Sequence, residues 1–222
     1  MEAASTQQHN RKVRITLAFQ FPVGIQTGTT TAPGTTIYYP QITGLSNRAV
    51  QDQMNRAIIG LASYLRQEQL KVQTGTNMQM IGHYEIKTNE RGILSLILSN
   101  YAYSTPMAHG NTIAKSLTFD VNTGKLYSLA DLFKPGSDYV SVLSKQISAQ
   151  LKERDLPLLN GFTAISPNQD YYLADKAIVV YFQLYEITPY YVGFPMFPIS
   201  VYTLQSITAE GGPLDTLSVD VV

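Results

Sequence analysis

The clearest indication of the fold comes from residues 107–133, which read MAHGNTIAKSLTFDVNTGKLYSLADLF. From residue 112 to residue 121 apolar and polar side chains alternate, which predicts a strand with one buried face. Residues 122–124 then tolerate positive φ, so the chain can reverse there. Ser128, with Asp131 three residues later, fits a capping box and predicts the start of a short helix.

Patterns elsewhere in the chain add helices and strands to this unit. Two helices are predicted where apolar residues recur every three or four positions, over Asn47 to Leu70 and Asp138 to Lys152. Strands are predicted by alternation, or by dense β-branched and aromatic residues, at 13–21, 77–87, 93–103, 171–173 and 177–184. We therefore predict an α+β protein with a mainly antiparallel sheet and the two principal helices packed on one face.

Two stretches argue against regular structure. The Thr-rich and Gly-rich residues from Gly24 to Thr36 favour a loop or an irregular hairpin. Pro189, Pro195 and Pro198 are expected to prevent a regular strand ladder, because proline cannot donate a backbone hydrogen bond.

Composition excludes several classes of function. The 222 residues carry 16 basic and 16 acidic side chains, so no net charge attracts nucleic acid, and we expect none as a partner. Cysteine is absent from the sequence, which removes disulfides, thiolate nucleophiles and cysteine zinc sites. No stretch approaches the roughly 20 apolar residues that span a bilayer, and residues 1–12 lack the apolar core of a signal peptide. We therefore expect no signal peptide, no transmembrane segment and no membrane insertion by this chain.

Several short motifs occur in a fixed order between about Tyr103 and Leu204. They are AHGN at 108–111, FD at 119–120, TG at 123–124, LF at 132–133, YFQ at 181–183, YEI at 185–187, PY at 189–190 and GFP at 193–195. In this order they resemble the RsiV C-terminal domain family, a domain of unknown function (DUF3298). The preceding half, with Tyr38-Tyr39-Pro40 and the helix that contains Asn55, resembles the N-terminal segment of PdaC-type peptidoglycan deacetylases.

The resemblance implies an α+β fold of two related halves and an extracytoplasmic setting at the bacterial cell envelope or spore surface. It divides the chain into a disordered leader (1–10), a PdaC N-terminal-like half (11–105), an RsiV C-terminal-like half (106–208) packed with the first as one unit, and a tail (209–222). In RsiV such a domain is the outer part of an anti-sigma factor that binds lysozyme, and in PdaC it accompanies a separate catalytic domain. We expect binding of a lysozyme-type protein or a cell-wall glycan to carry over, without catalysis and without a cofactor.

Two residues support a different function, that of a small cell-wall hydrolase. His109 lies in a loop beside Gly110, where an imidazole can act as a base or a ligand near neutral pH. Glu186 follows an apolar strand, at the kind of position where sites form. Each has a structural alternative: the ring holds the shape of its loop, and the carboxylate accepts backbone N–H bonds. With three histidines in the chain, none paired at helical or strand spacing, we assign no catalytic or metal-binding set.

Two segments are expected to form the functional face. Residues 104–111 and residues 186–197 both follow strong strands and carry Gly and Pro. If those strands are neighbours in the sheet, the two segments meet at one edge and form a concave, Tyr-rich surface. The expected binding residues are His109, Asn111, Tyr185, Glu186, Tyr190 and Tyr191.

Overall fold

A computed structural model describes residues 20–219, so the predicted leader and all but the end of the strand predicted at 13–21 lie outside the described residues. In chain order the described elements are β1 (Gly24–Ala32), β2 (Thr35–Thr43), α1 (Arg48–Val72), β3 (Thr76–Glu90), β4 (Ile93–Thr105), β5 (Asn111–Asp120), α2 (Tyr139–Glu153), β6 (Tyr171–Ala174), β7 (Ala177–Tyr181), β8 (Met196–Ser200) and α3 (Pro213–Ser218). Short 3₁₀ turns lie at Ala130–Leu132, Tyr190–Val192 and Val201–Leu204. No helix of residues 20–219 is long and apolar enough to cross a membrane.

The strands form two sheets, with the orders β1-β2-β3-β4-β5 and β6-β7-β8. All neighbours are antiparallel except β2 and β3, which pair in parallel over Thr35–Ile37 and Met80–Gly82. Helix α1 connects these two strands, because a parallel pair needs a crossover rather than a tight turn. The predicted α+β class and the mainly antiparallel pairing are confirmed.

Each principal helix covers its own sheet, whereas the sequence pattern indicated a single sheet. Helix α1 buries Met54 and Ile58 in a cluster with Leu96 of β4. Helix α2 buries Leu143 and Ile147 in a second cluster with side chains of β6, β7 and β8. Periodicity shows which face of an element is apolar but not which other element covers it, so it did not predict this division.

The second sheet packs against one end of the first. Ile97 and Ala114 share an apolar cluster with Val179 and Tyr181, on the face of the first sheet opposite α1. Polar contacts support this packing: the Leu173 backbone N–H donates to Ser95 Oγ at 2.9 Å and its carbonyl accepts from Thr88 Oγ1 at 2.8 Å. Lys115 Nζ lies 2.7 Å from Asp170 Oδ2, and this ion pair joins β5 to the residue before β6.

The capping box predicted at the start of the short helix is present. The Ser128 backbone N–H donates to Asp131 Oδ2 at 2.8 Å, and the Asp131 N–H donates to Ser128 Oγ at 3.3 Å. The Ser128 hydroxyl also donates to Asp131 Oδ2, at 2.6 Å. This bond first, then the Ser128 N–H bond and Lys125, hold the pKa of the Asp131 carboxyl below its ordinary value. The helix itself is a single 3₁₀ turn.

Three local predictions were wrong. Residues 24–36 form most of a regular hairpin, in which Gly24 pairs with Thr43 and Ala32 with Thr35, because β-branched threonines suit extended backbone. Pro198 lies within β8 and pairs with Val179, which an edge strand tolerates because one side of its backbone needs no partner. The expected tail contains α3, which begins at Pro213. It buries Leu214 and Leu217 completely in the second core.

Candidate functional site

A glutamine side chain fixes the segment between β7 and β8 to the first sheet. Gln183 Oε1 accepts from the Ala114 backbone N–H at 3.1 Å, and its Nε2 donates to the Ala114 carbonyl at 2.7 Å. The same Nε2 donates to Asp170 Oδ2 at 2.8 Å. The amide therefore bonds to the edge of β5 as a neighbouring strand would, and it brings residues 184–195 beside the loop between β4 and β5.

That loop and that segment meet through aromatic side chains. The rings of His109 and Tyr190 stack with centroids 4.0 Å apart, and His109 Nε2 lies 3.2 Å from the Tyr185 hydroxyl. Tyr190 in turn donates its hydroxyl to the Gly110 carbonyl at 2.9 Å. We call His109, Tyr185, Tyr190 and Tyr191 the aromatic rim.

Hydrogen bonding defines the tautomer of His109. Its Nδ1 lies 3.0 Å from the carbonyl oxygen of Gly110, which can only accept, so Nδ1 carries the proton in the neutral ring. Nε2 is then the acceptor, and the Tyr185 hydroxyl donates to it. Both ring nitrogens are therefore used to hold the rim together, as the structural alternative for this residue expects.

The rim exposes two of its tyrosines. The side chain of Tyr191 is 79% exposed and that of Tyr185 is 52% exposed, while Tyr190 is half-buried beneath them. Tyr185 has a φ of 64°, in the left-handed region that costs a non-glycine residue roughly 1–2 kcal/mol. Surrounding contacts maintain this conformation, and residues held in such conformations cluster at binding and catalytic sites.

Two of the expected binding residues make their hydrogen bonds to residues outside the aromatic rim. Asn111 donates its side-chain amide to Gln69 Oε1 at 3.1 Å, and Gln69 Nε2 donates back to the Asn111 carbonyl at 3.0 Å, so Asn111 ties β5 to α1. Glu186 accepts from the Gln183 backbone N–H at 2.7 Å and from Gln169 Nε2 at 3.0 Å. Both oxygens of this carboxylate hold the segment in shape, and no hydrogen bond or ion pair between described residues joins it to His109.

Buried polar side chains beneath the rim were missed by sequence reasoning. Tyr181 donates its hydroxyl to Ser116 Oγ at 3.1 Å, and burial raises the pKa of this phenol well above its ordinary value. With the Lys115–Asp170 pair and Gln183, it forms a polar layer between the two sheets. Only the YFQ motif at 181–183 pointed to this layer. Within residues 20–219, no three His, Asp or Glu side chains lie close enough together to hold a metal ion.

The two segments meet, but not in the way that the sequence suggested. The strands that precede them, β4 and β7, belong to different sheets, and the contact arises because one sheet lies over the other. His109, Tyr185 and Tyr190 are in mutual contact. Tyr191 follows Tyr190 in the 3₁₀ turn at Tyr190–Val192, and its side chain is exposed.

Comparisons with known proteins agree with the motifs. Residues 130–202 match a family described as a protein of unknown function (DUF3298), a range that includes the three tyrosines of the rim but not His109. The anti-sigma-V factor RsiV of Bacillus subtilis (strain 168) is 26% identical over 186 residues, which are 76% of this chain and 63% of RsiV. The peptidoglycan-N-acetylmuramic acid deacetylase PdaC of the same organism is 27% identical over 140 residues, 57% of this chain and 28% of PdaC. The chain thus spans less than two thirds of the length of either relative.

Solved structures show the same fold. A DUF3298 family protein from Pseudomonas aeruginosa PAO1 is 19% identical with a TM-score of 0.62, covering 90% of this chain and 97% of that one. A member of the family from Bacteroides fragilis is 17% identical with a TM-score of 0.60, covering 86% of this chain and 93% of that one. Residues 130–202 therefore match the DUF3298 family, within a fold that resembles solved members of that family.

Proposed function

We propose that this protein is a non-enzymatic binding module of the bacterial cell envelope or spore surface, and that its aromatic rim recognises a protein partner of the lysozyme type. The similarity to a relative named as an anti-sigma factor, over 76% of the chain, supports a role in binding rather than catalysis. The second relative is named for peptidoglycan chemistry, which supports an extracytoplasmic setting.

The observation that carries the proposal is that Tyr191 is exposed beside aromatic residues that are held in place by hydrogen bonds and stacking. Tyr191 presents 79% of its side chain to solvent, although a large aromatic ring gains free energy when it is covered. Tyr185 and Tyr190 beside it are held by hydrogen bonds and stacking, so binding immobilises few rotamers. Rigid tyrosines that expose their rings are typical of protein interfaces.

Titration calorimetry with lysozyme tests this assignment. Replacing Tyr191 by Ala is expected to weaken binding by about 2 kcal/mol or more, roughly 30-fold in Kd, as for a central interface tyrosine. Tyr64→Ala is a matched control, since Tyr64 is a 49% exposed tyrosine of α1 and lies outside the rim. Absence of binding by the unmodified protein, or equal affinities for the two variants, contradicts the proposed function.

The hydrolase hypothesis has less support from the geometry. A general base needs a free ring nitrogen or carboxylate oxygen within reach of substrate. In this site His109 Nε2 accepts from Tyr185 and Glu186 accepts from Gln169 and Gln183. Release of soluble products from peptidoglycan, abolished in a folded His109→Ala protein, would reverse the ranking of the two hypotheses.

A further inference from the structure

The face of the first sheet opposite α1 is only partly covered. Strand register places Ile81 opposite Tyr101, His83 opposite Ser99, and Tyr101 opposite Thr112. Ser99 is in turn opposite Ala114, so these residues share the face against which the second sheet packs. Away from this packing, the side chains of Tyr38, Ile81 and His83 are exposed. We call the uncovered part the open face, formed by Tyr38, Ile81, His83, Ser99, Tyr101 and Thr112.

Two exposed rings form the centre of the open face. Tyr38 of β2 and His83 of β3 stack with centroids 5.9 Å apart and planes inclined by 28°. Tyr38 is 40% exposed, and His83 is also exposed. Strands β2 and β3 pair at only three positions, and the last pair is Ile37 with Gly82. Tyr38 and His83 each follow that pair by one residue, so their stacking extends the contact between the two strands.

The open face combines hydroxyl groups and rings with little aliphatic surface, and none of its six residues is Asp, Glu, Lys or Arg. Its hydroxyls belong to Tyr38, Ser99, Tyr101 and Thr112, and threonines of β1 extend the same surface past Tyr38. The nearest charged residues along β3 are Glu85 and Lys87, which pair with each other at 2.7 Å where the second sheet begins. Ile81, 42% exposed, is the aliphatic member of the set.

This chemistry favours one class of partner. Sugar rings present apolar C–H faces that lie against aromatic rings, and hydroxyl edges that bond to Ser, Thr and Tyr. An anionic polymer requires Lys or Arg, which the open face lacks. Neighbouring strands lie about 4.8 Å apart, so five strands offer a path of roughly 19 Å across the face, which suits an extended chain.

We propose that the open face binds a neutral polysaccharide chain, which lies across the strands with one sugar ring on the Tyr38–His83 pair. This site is separate from the aromatic rim and goes beyond the function proposed for it. The two surfaces adjoin at Gly110, where the ring of Tyr101 lies so close that a Cβ would meet it at 2.0 Å, and where the Tyr190 hydroxyl also bonds. A module with both surfaces holds a protein partner next to the glycan.

Calorimetric titration with soluble oligomers of N-acetylglucosamine and, separately, of β-linked glucose tests the site and distinguishes two sources of neutral glycan. Replacing Tyr38 by Ala removes one stacking contact, and we expect binding to weaken roughly three- to tenfold. His83→Ala is the second variant and is expected to act in the same direction. Affinity should be unchanged between low and high salt, because the glycan is uncharged. In nuclear magnetic resonance, the ring signals of His83 should move on titration.

Two control variants make the outcome decisive. Tyr64→Ala alters an exposed tyrosine on α1, on the opposite side of the first sheet, and is expected to leave glycan affinity unchanged. Tyr191→Ala alters the rim and is also expected to leave it unchanged, so failure of the rim proposal and failure of this one are distinguishable. Binding to neither oligomer, strong salt dependence, or a larger loss with Tyr191→Ala than with Tyr38→Ala overturns the assignment of the open face.

Discussion

Replacing Gln183 by Ala should destabilise the protein well beyond the average for a half-buried polar residue. The change removes two hydrogen bonds to Ala114 and one to Asp170, and it leaves the buried backbone groups of Ala114 without these partners. With about 1 kcal/mol for each neutral bond and roughly 1.5–3 kcal/mol for the bond to a carboxylate, we expect a loss of about 3.5–5 kcal/mol in the free energy of unfolding. For a chain of this size that corresponds to a fall in Tm of roughly 7–20 °C.

Denaturant unfolding followed by circular dichroism measures this loss. Gln150→Ala is the matched control, because Gln150 is a glutamine whose Nε2 donates to the Pro198 carbonyl at an exposed position. We expect that variant to remain within about 0.5 kcal/mol of the unmodified protein. Equal free energies of unfolding for the two variants would refute the view that Gln183 joins the two sheets.

Other substitutions and pH changes test further parts of the structure. Replacing Leu214 by Ala should cost about 2–5 kcal/mol in thermal or denaturant unfolding if α3 belongs to the core, whereas a tail residue would cost almost nothing. The Asp131 carboxyl has a lowered pKa in the folded state, so its stabilising contribution is present above its ordinary value of 3.8 and is lost as pH falls through the folded value. Urea midpoints of the unmodified protein and Asp131→Ala should therefore converge in acid. Burial raises the pKa of Tyr171 and of Tyr181, so the unfolded chain releases these protons above about pH 10 while the folded chain keeps them. Stability should then fall as pH rises beyond 10, and ultraviolet difference spectroscopy should show both phenols ionising only on unfolding.

Sequence patterns predicted elements well where one face of an element is strongly apolar. Helix α1 was expected from Asn47 to Leu70 and runs over Arg48–Val72, because Met54, Ile58 and Leu65 recur at helical spacing. The β1–β2 hairpin was missed because its threonines and glycines are as common in loops as in exposed strands. Gly28, which marks the middle of β1, is buried because the ring of Tyr39 lies directly over it. Because that contact joins two strands, no sequence pattern within β1 alone predicts it.

The sequence indicated several residues of the candidate site but not how they come into contact. His109 and the tyrosines after residue 184 were identified as loop residues that follow strands, and the structure places them together. Their contact depends on how the second sheet lies on the first, which depends on half-buried polar residues such as Gln183 and Asp170. Polar side chains have no periodic signal, so a sequence pattern does not show which of them join the two sheets. The position of Asn111, turned toward Gln69, has the same cause.

The bonds of the aromatic rim join residues that are distant along the chain. His109 and Tyr185 are 76 positions apart, and Tyr190 and Gly110 are 80 positions apart. Since the rim exists only when both sheets are docked, a partner that binds it binds the native state and not the unfolded chain. Binding of the partner therefore stabilises the whole folded protein. At a free partner concentration 100 times Kd, the free energy of unfolding rises by about 2.7 kcal/mol. The protein would then withstand heat and proteases best while its partner is bound, and would become easier to degrade once the partner is gone.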